Sequence, residues 1–324
     1  MSQEGIGPKL TAPAAQGRAW SEVRREKPCV AALGNFDGVH LGHHRILDAL
    51  LAESQASGLD PVLVTFEPHP RYFFKPQEKP SLLTTPWEKV DLLKRWPVEV
   101  VLLAFDQALA ELEPEDFIRT FLQERLRGER FLLGHDHRFG KRARGDVAMM
   151  QSQVADPEKD VIMLDPFRLD GEVVSSSAIR THLEAARIDQ ANRLLGRPFS
   201  YSGQVVRGEG RGNGLGFPTA NLDLGYPYKA MVAYGVYAGK ASFQGRSCSA
   251  VANIGINPTF SGPGIAQGQK IEVHILDFKG DIYGQTLEFT LESHIRPEKK
   301  FASVKDLRQQ IALDVAEARV RLNG

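Results

Sequence analysis

Leu33-Gly34-Asn35-Phe36-Asp37-Gly38-Val39-His40-Leu41-Gly42-His43-His44 is the stretch that decides how the first half of this 324-residue chain folds. The apolar run before it, Cys29 to Leu33, reads as a buried strand that stops in a glycine-rich turn. Ile46, Leu47, Leu50 and Leu51 then recur at helical spacing. His40 and His43 sit three apart where that helix opens. Two imidazoles therefore share one side of a helix N-terminus with its unpaired N–H groups and the positive end of its dipole. Such a corner suits phosphate, and above all a phosphorus centre gaining negative charge. Two other readings fit the same residues: ordinary surface histidines, or part of a metal site. For the metal, a third ligand at helical or short-loop spacing is missing, and the nearest cysteine, Cys29, lies on the strand.

Working outward, residues up to about 186 alternate apolar strands with amphipathic helices. Pro61–Phe66, Val98–Phe105, Phe131–Leu133 and Val161–Leu164 are strand candidates, and Trp87–Trp96 and Glu115–Arg127 are helical. Near-continuous apolar strands suit a parallel sheet covered on both faces, with its site at the C-terminal ends of the strands. From about residue 200 the pattern changes to short strands broken by Gly, Pro and Asn: Tyr201–Arg207, Tyr234–Ala241, Cys248–Ile254, Lys270–Phe278 and Thr286–Leu291. That reads as a small antiparallel barrel or sandwich. One long helix closes the chain, with Ser303 as its cap and Leu307, Ile311, Val315 and Ala318 on one face. The expected organisation is a loose tail (1–27), an α/β domain (28–186), a helical connector (187–199) and a β domain (200–324).

Lys+Arg and Asp+Glu both number 40, so the formal net charge is zero, and a nucleic-acid or membrane-surface protein would more often be basic. No run approaches the ~18 apolar residues of a membrane span, and the polar, Gly/Pro/Ala-rich first residues lack a signal peptide's apolar core. Cys29 and Cys248 fall in different halves and read as free thiols of a reducing cytoplasm.

Three further segments accompany the histidines. Thr65-Phe66-Glu67-Pro68-His69-Pro70 follows a strand and is either a rigid turn or a ligand-facing loop. Gly134-His135-Asp136-His137-Arg138-Phe139-Gly140 follows another and leads into Lys141-Arg142-Ala143-Arg144. That basic run is either solvated or set, through Arg144, towards nucleotide phosphates. Ser175-Ser176-Ser177-Ala178-Ile179-Arg180 opens a helix, and an Arg in a first turn opposes the charge a helix start prefers unless an anion is bound there.

In this order, Gly-Asn-Phe-Asp-Gly-Val-His-Leu-Gly-His, Thr-Phe-Glu-Pro-His-Pro, Gly-x-Asp-x-Arg-Phe-Gly and Ser-Ser-Ser-x-Ile-Arg resemble the adenylyltransferase module of bacterial bifunctional FAD synthetases. The resemblance implies that His40 and His43 contact the triphosphate and stabilise the transition state. It implies that Gly34, Asn35, Phe36, Asp37, Ser176, Ser177 and Arg180 belong to the ATP site, and that Asp136 lies by the flavin and nucleotide. His137 departs from the family, which usually has Phe there; Ser177 often appears as Thr.

The other dense region is Val206-Arg207-Gly208-Glu209-Gly210-Arg211-Gly212-Asn213-Gly214-Leu215-Gly216-Phe217-Pro218-Thr219-Ala220-Asn221-Leu222. It matches neither the dinucleotide fingerprint nor a P-loop. Its glycines, Gly210, Gly214 and Gly216 among them, make either a flexible hairpin tip or a loop closing backbone N–H groups around phosphate. Thr219 and Asn221 alternate on the next strand, so two hard oxygens share a face in a way that suits Mg²⁺. Gly-Phe-Pro-Thr-Ala-Asn-Leu resembles the signature of riboflavin kinases. Ala252-Asn253-Ile254-Gly255, Ile271-Glu272-Val273-His274 and Arg296-x-Glu298-x-x-Phe301 follow as in that family. The resemblance makes Glu272 the general base and adds Arg296 to the nucleotide contacts. The alternation of Ile271, Val273 and Ile275 by itself leaves Glu272 on a solvated face. Asn257 stands where Arg is frequent.

Together the resemblances imply a Rossmann-like, doubly wound α/β domain followed by a small antiparallel β-barrel with a C-terminal helix. The implied activity is bifunctional: riboflavin to FMN, then FMN to FAD with release of pyrophosphate. ATP is the co-substrate and Mg²⁺ the cofactor, with riboflavin, FMN and FAD as partners and neither nucleic acid nor membrane. The alternatives are an H-x-G-H nucleotidyltransferase acting on another phosphate, and a non-enzymatic flavin-binding regulator.

Overall fold

The computed structural model describes residues 17–74, 81–134, 136–208, 216–256 and 269–323. Their contacts divide them into two units, 17–176 and 177–323.

The first unit is built on five parallel strands in the order β3-β2-β1-β4-β5: β1 (Cys29–Leu33), β2 (Asp60–Glu67), β3 (Glu99–Ala104), β4 (Gly128–Gly134) and β5 (Val161–Leu164). Period-two alternation sends consecutive residues of β1 to opposite cores. Cys29, Ala31 and Leu33 pack with Phe117, Phe121 and Leu122 of the π-helical segment Phe117–Arg125. Val30 and Ala32 pack with Leu47 and Leu50 of helix α1 (Leu41–Ser57). Both faces of the sheet are thus covered, as near-continuous apolar strands require. Burial pushes the Cys29 thiol up to about 12, and its Sγ–H donates to the Leu126 carbonyl at 3.3 Å. Helix α2 (Pro86–Leu93) starts on a reciprocal cap: Glu88 N–H donates to Thr85 Oγ1 at 3.2 Å, and Thr85 N–H donates to Glu88 Oε2 at 2.8 Å.

Part of the expected N-terminal tail is structured instead. Arg18 pairs with Leu103 on the edge of the sheet, its N–H donating to Leu102 O at 2.8 Å, and Val23 is buried in the core beneath. The open edge of β3 offers unpaired backbone groups, and a short passing segment satisfies them.

The second unit opens with helix α3 (Ser177 onward in Ser176–Glu184) and helix α4 (Ile188–Leu195), which Gly196 ends in a left-handed cap. A closed antiparallel barrel follows. Its strands are β6 (Phe199–Val206), β7 (Ala220–Asp223), β8 (Gly235–Phe243), β9 (Arg246–Ile256), β10 (Gln269–Ile275) and β11 (Thr286–Pro297). Tyr201, Tyr237, Val273, Leu287 and Phe289 are fully buried within it. Helix α5 (Val304–Asn323) closes the unit, with Asp306 N–H donating to Ser303 Oγ at 3.1 Å. Its Val315 and Ala318 pack on Val236, Ala238 and Val251 of the barrel wall. Strand β11 is longer than the expected Thr286–Leu291. Its ladder with β8 shifts register twice, so Glu292-Ser293-His294 lose the alternation that marks a strand in sequence.

Candidate active sites

The strand β1–helix α1 corner carries the first candidate site. His40 is the N-cap of α1 and His43 its third residue, and they cap each other. His43 N–H donates to His40 Nδ1 and His40 N–H to His43 Nδ1, both at 3.3 Å. The rings stack with centroids 3.7 Å apart. An Nδ1 that accepts a backbone proton fixes the neutral tautomer, so each Nε2 carries the N–H. The reciprocal cap thus turns both rings into donors directed away from their own backbone. A Cβ on Gly42 would come within 3.1 Å of the His40 ring and of Val174 O, so a larger residue there would press on the stacked pair.

Several neighbours chosen from the sequence make contacts within the protein. Phe36 is fully buried in the core and stacks on His43 with centroids 4.6 Å apart, so it backs the imidazole from behind. Asp37 is buried too: its Oδ1 accepts from Leu83 N–H at 2.8 Å and Thr84 N–H at 3.2 Å, tying the turn to the loop before α2. Ser176 Oγ donates to Asp37 O at 2.8 Å and fastens the serine turn to the same corner. Ser177 and Arg180 continue that helix in the second unit. Arg144 is ion-paired with Glu113, and Lys141 with Glu111 and Glu113, so two of the run's three cations face an acidic loop. The sequence reading missed this because the partners lie about thirty residues upstream.

Gly34 and Asn35 line a cavity of about 310 Å³ at the C-terminal ends of β1, β2 and β4, where a doubly wound sheet places its ligands. Its wall is aromatic: Phe66, Phe74, Phe105, Phe117 and Phe139, with Asp136 and His137 as polar members. The Phe66 and Phe105 rings meet edge to face at 5.8 Å. Below it, Lys89 is buried, with its Nζ donating to Phe66 O at 2.8 Å and lying 3.7 Å from Glu67 Oε2. Burial lowers the Lys89 ammonium and raises the Glu67 carboxyl, each against the pull of the other.

In the barrel, Asn221 of β7 faces Glu272 of β10, and Glu272 faces Asn253 of β9, so three polar side chains form one row across three strands. Ala220 and Leu222, on either side of Asn221, are buried, which turns the row to the outer wall. Glu272 is a quarter exposed and its Oε1 lies 2.9 Å from Lys270 Nζ. A Cβ on Gly208 would sit 2.2 Å from the Asn221 amide, so only glycine lets that backbone close against it. Asn253 was absent from the expected set; its ladder position opposite Glu272 needs the strand register, which sequence alone does not supply. His274 Nδ1 is 2.8 Å from the Pro218 carbonyl and anchors the turn that carries Thr219. Thr219 itself lines a second cleft, about 370 Å³, with Lys279 and Tyr283 of a loop that carried no sequence signal. Gly216 adopts the left-handed region at φ +83°. Gly210, Gly214 and Asn257 lie outside the described residues.

Arg296, expected at the nucleotide, is held on the barrel side of helix α5. Its guanidinium grips Asp314 of α5, with Nε–Oδ1 at 2.9 Å and Nη2–Oδ2 at 2.7 Å, and lies over the Phe301 ring. The Asp314 side chain is only 4% exposed. Arg296 is thus engaged in fixing α5 to the barrel.

Comparison with known proteins agrees with both halves. Residues 22–178 match the family model described as FAD synthetase, and residues 195–322 match that described as riboflavin kinase. The bifunctional riboflavin kinase/FMN adenylyltransferase of Pseudomonas fluorescens is 38% identical over 291 residues, 90% of this chain and 92% of that one. Those of Escherichia coli K12 and Bacillus subtilis are 37% and 35% identical, over 91% and 89% of this chain and 93% and 91% of theirs. A crystal structure described as a macrolide-efflux protein from Streptococcus pneumoniae is 30% identical, with a TM-score of 0.83, covering 93% of this chain and 97% of that one. Among the described residues no helix is long and apolar enough to cross a membrane. The chain belongs to the bifunctional riboflavin kinase/FMN adenylyltransferase family, transferases that phosphorylate riboflavin to FMN and convert FMN to FAD.

Proposed function

We propose that the two sites differ in chemistry because their nucleophiles differ. In the first unit the nucleophile is the phosphate of FMN, already ionised at neutral pH. It attacks the α-phosphorus of ATP, the α–β bond breaks, and pyrophosphate leaves. No base is needed there. What the site supplies is donors for the charge on the reacting phosphoryl oxygens, and the Nε2–H groups of His40 and His43 fill that role. The flavin ring occupies the aromatic cavity, with Asp136 and Asn35 at its rim. For Ser177 and Arg180, which open the second unit, the resemblance of the serine turn implies contacts to nucleotide phosphate.

In the second unit the nucleophile is an alcohol, the terminal hydroxyl of riboflavin, and it must lose a proton. Glu272 accepts that proton as the oxygen attacks the γ-phosphorus and ADP departs. Thr219 and Asn221 are the residues to hold Mg²⁺. Among the described residues no cluster of three His, Cys, Asp or Glu exists. Two neutral oxygens beside a nucleotide fit a cation that keeps several waters and takes phosphate oxygens as its other ligands. Bound there, Mg²⁺ supplies neutralisation of phosphate charge. The proposed domain limits are 28–186 for the adenylyltransferase, 187–199 for the connector and 200–324 for the kinase. A cytoplasmic setting is supported by the buried, free Cys29 thiol.

The observation that carries the kinase reading is the ladder row that sets Glu272 directly opposite Asn221. Glu272→Gln tests it, since Gln keeps the shape but cannot take the proton. The expected result is a kinase kcat lower by about 10²–10⁴, with riboflavin affinity, read by fluorescence, little changed. Wild-type turnover would return Glu272 to a solvated strand face.

A further inference from the structure

The aromatic cavity of the first unit has one polar wall residue whose chemistry is unused. His137 follows β4, its backbone N–H donating to Gly134 O at 3.0 Å, which turns the side chain onto the cavity wall. The ring is half-buried and lies 6.1 Å from the Phe139 ring, tilted by 31°. Neither ring nitrogen hydrogen-bonds to any described residue. Burial pushes the imidazole down to about 4, outweighing the attraction of neighbouring Asp136, so at neutral pH the ring is uncharged. A neutral imidazole presents one donor and one acceptor. Set among Phe66, Phe105, Phe117 and Phe139, it is a polar group awaiting a partner in a slot for a flat ring.

A flavin ring system is flat and two-ended. Its dimethylbenzene end offers no hydrogen bond, while its pyrimidine end offers carbonyl oxygens and the N3–H. On the reading that the cavity takes the flavin of FMN, of the ring system's two ends only the pyrimidine end can satisfy an unpaired imidazole. We propose that His137 is a specificity-determining residue that hydrogen-bonds the pyrimidine edge of the flavin and so selects which end of the ring lies against β4. The aromatic walls supply area and the histidine supplies direction. A site with a polar group waiting for a partner also discriminates against analogues that cannot provide one, because the buried group is then left unpaired.

The test is steady-state FAD formation by the full chain from supplied FMN, 3-methyl-FMN and 4-thio-FMN, flavin phosphates altered at N3 and at one carbonyl. His137→Phe is expected to raise KM for FMN about 3–10-fold, the loss of one neutral hydrogen bond, with kcat within about twofold. At least one analogue is expected to be a several-fold poorer substrate than FMN for the wild type and to lose most of that handicap with His137→Phe. His137→Leu must repeat the result, and His137→Asn, which keeps a donor and an acceptor, must stay near wild type. Phe74→Glu, at the exposed mouth of the cavity, separates this inference from the reading beneath it. If Phe74→Glu raises KM for FMN while His137→Phe changes neither KM nor the analogue handicap, the inference about His137 is overturned and the cavity stands. If Phe74→Glu leaves KM for FMN unchanged, the flavin does not occupy this cavity and the underlying reading falls with it.

Discussion

At the scale of single residues, the reciprocal cap of His40 and His43 does two jobs with one geometry. It satisfies two helix N-terminal N–H groups, and it fixes the tautomer that makes both rings donors. The three-residue spacing, and so the imidazole pair at a helix start, was legible in the sequence. What surrounds the pair was less so. Phe36 and Asp37 stand in the same tight turn as the histidines, and nothing in their order says which side of the turn faces the core. Phe36 takes a positive φ of 51°, which sends its ring inward beneath His43. Glu272 shows the converse case: strand alternation sets it apart from the buried Ile271, Val273 and Ile275, and the register places it in one row with Asn221 and Asn253, where the kinase site is proposed. His137 yields a prediction at this scale. The unfolded chain protonates it near ~6.5, the folded chain only near about 4. The unfolded state therefore binds the extra proton across that window, and stability present above ~6.5 is lost as pH falls towards 4. His137→Phe removes this loss. Its thermal midpoint should gain on the wild type as pH is lowered from about 6.5 to 4.5, and a constant difference across that range would contradict the burial argument.

At the scale of elements, the clearest lesson is helix α5 and strand β11. The helix was readable from its Ser303 cap and its apolar face because both are local. Its attachment was not. Arg296 and Asp314 are eighteen residues apart, and only the docked helix reveals that a motif arginine is a tether. Gln310 Nε2 also donates to Asp314 Oδ1 at 3.0 Å, so the buried carboxylate is well satisfied. Removing one partner leaves the other charge buried. Asp314→Ala should therefore destabilise the second unit by about 3–5 kcal/mol in denaturant unfolding, and the double change Arg296→Leu with Asp314→Leu should recover more than half of that loss. A cost below about 1 kcal/mol for Asp314→Ala would mean that the pair behaves as an exposed surface bridge. The parallel sheet was easier to read: continuous apolar strands need cover on both faces, and the alternating residues of β1 divide between two cores accordingly. Bulges hid the second half of β11, since a register shift erases the period that announces a strand.

At the scale of the whole molecule, each half is a compact unit with its own family match and its own proposed site. The helix Ser176–Glu184 matters to both: Ser176 is bonded to Asp37 O, and Leu183 O accepts from Ala233 N–H at 3.0 Å. A division that respects it leaves residues 177–184 in both fragments. Residues 1–187 should adenylylate supplied FMN, and residues 177–324 should phosphorylate riboflavin, each assayed alone by chromatography. A folded 177–324 fragment without kinase activity would show that the site needs the other half. The most direct test of two independent sites is a crossed pair of variants in the full chain, followed with riboflavin and Mg-ATP and, separately, with supplied FMN. Losing a donor aimed at developing phosphate charge typically costs about 10²–10³ in rate. His43→Ala should therefore accumulate FMN and make almost no FAD from either starting flavin. Asn221→Ala should leave riboflavin unphosphorylated and still turn supplied FMN into FAD at the wild-type rate. Complementary losses are the predicted result; a variant that loses both activities, or keeps both, would contradict the account.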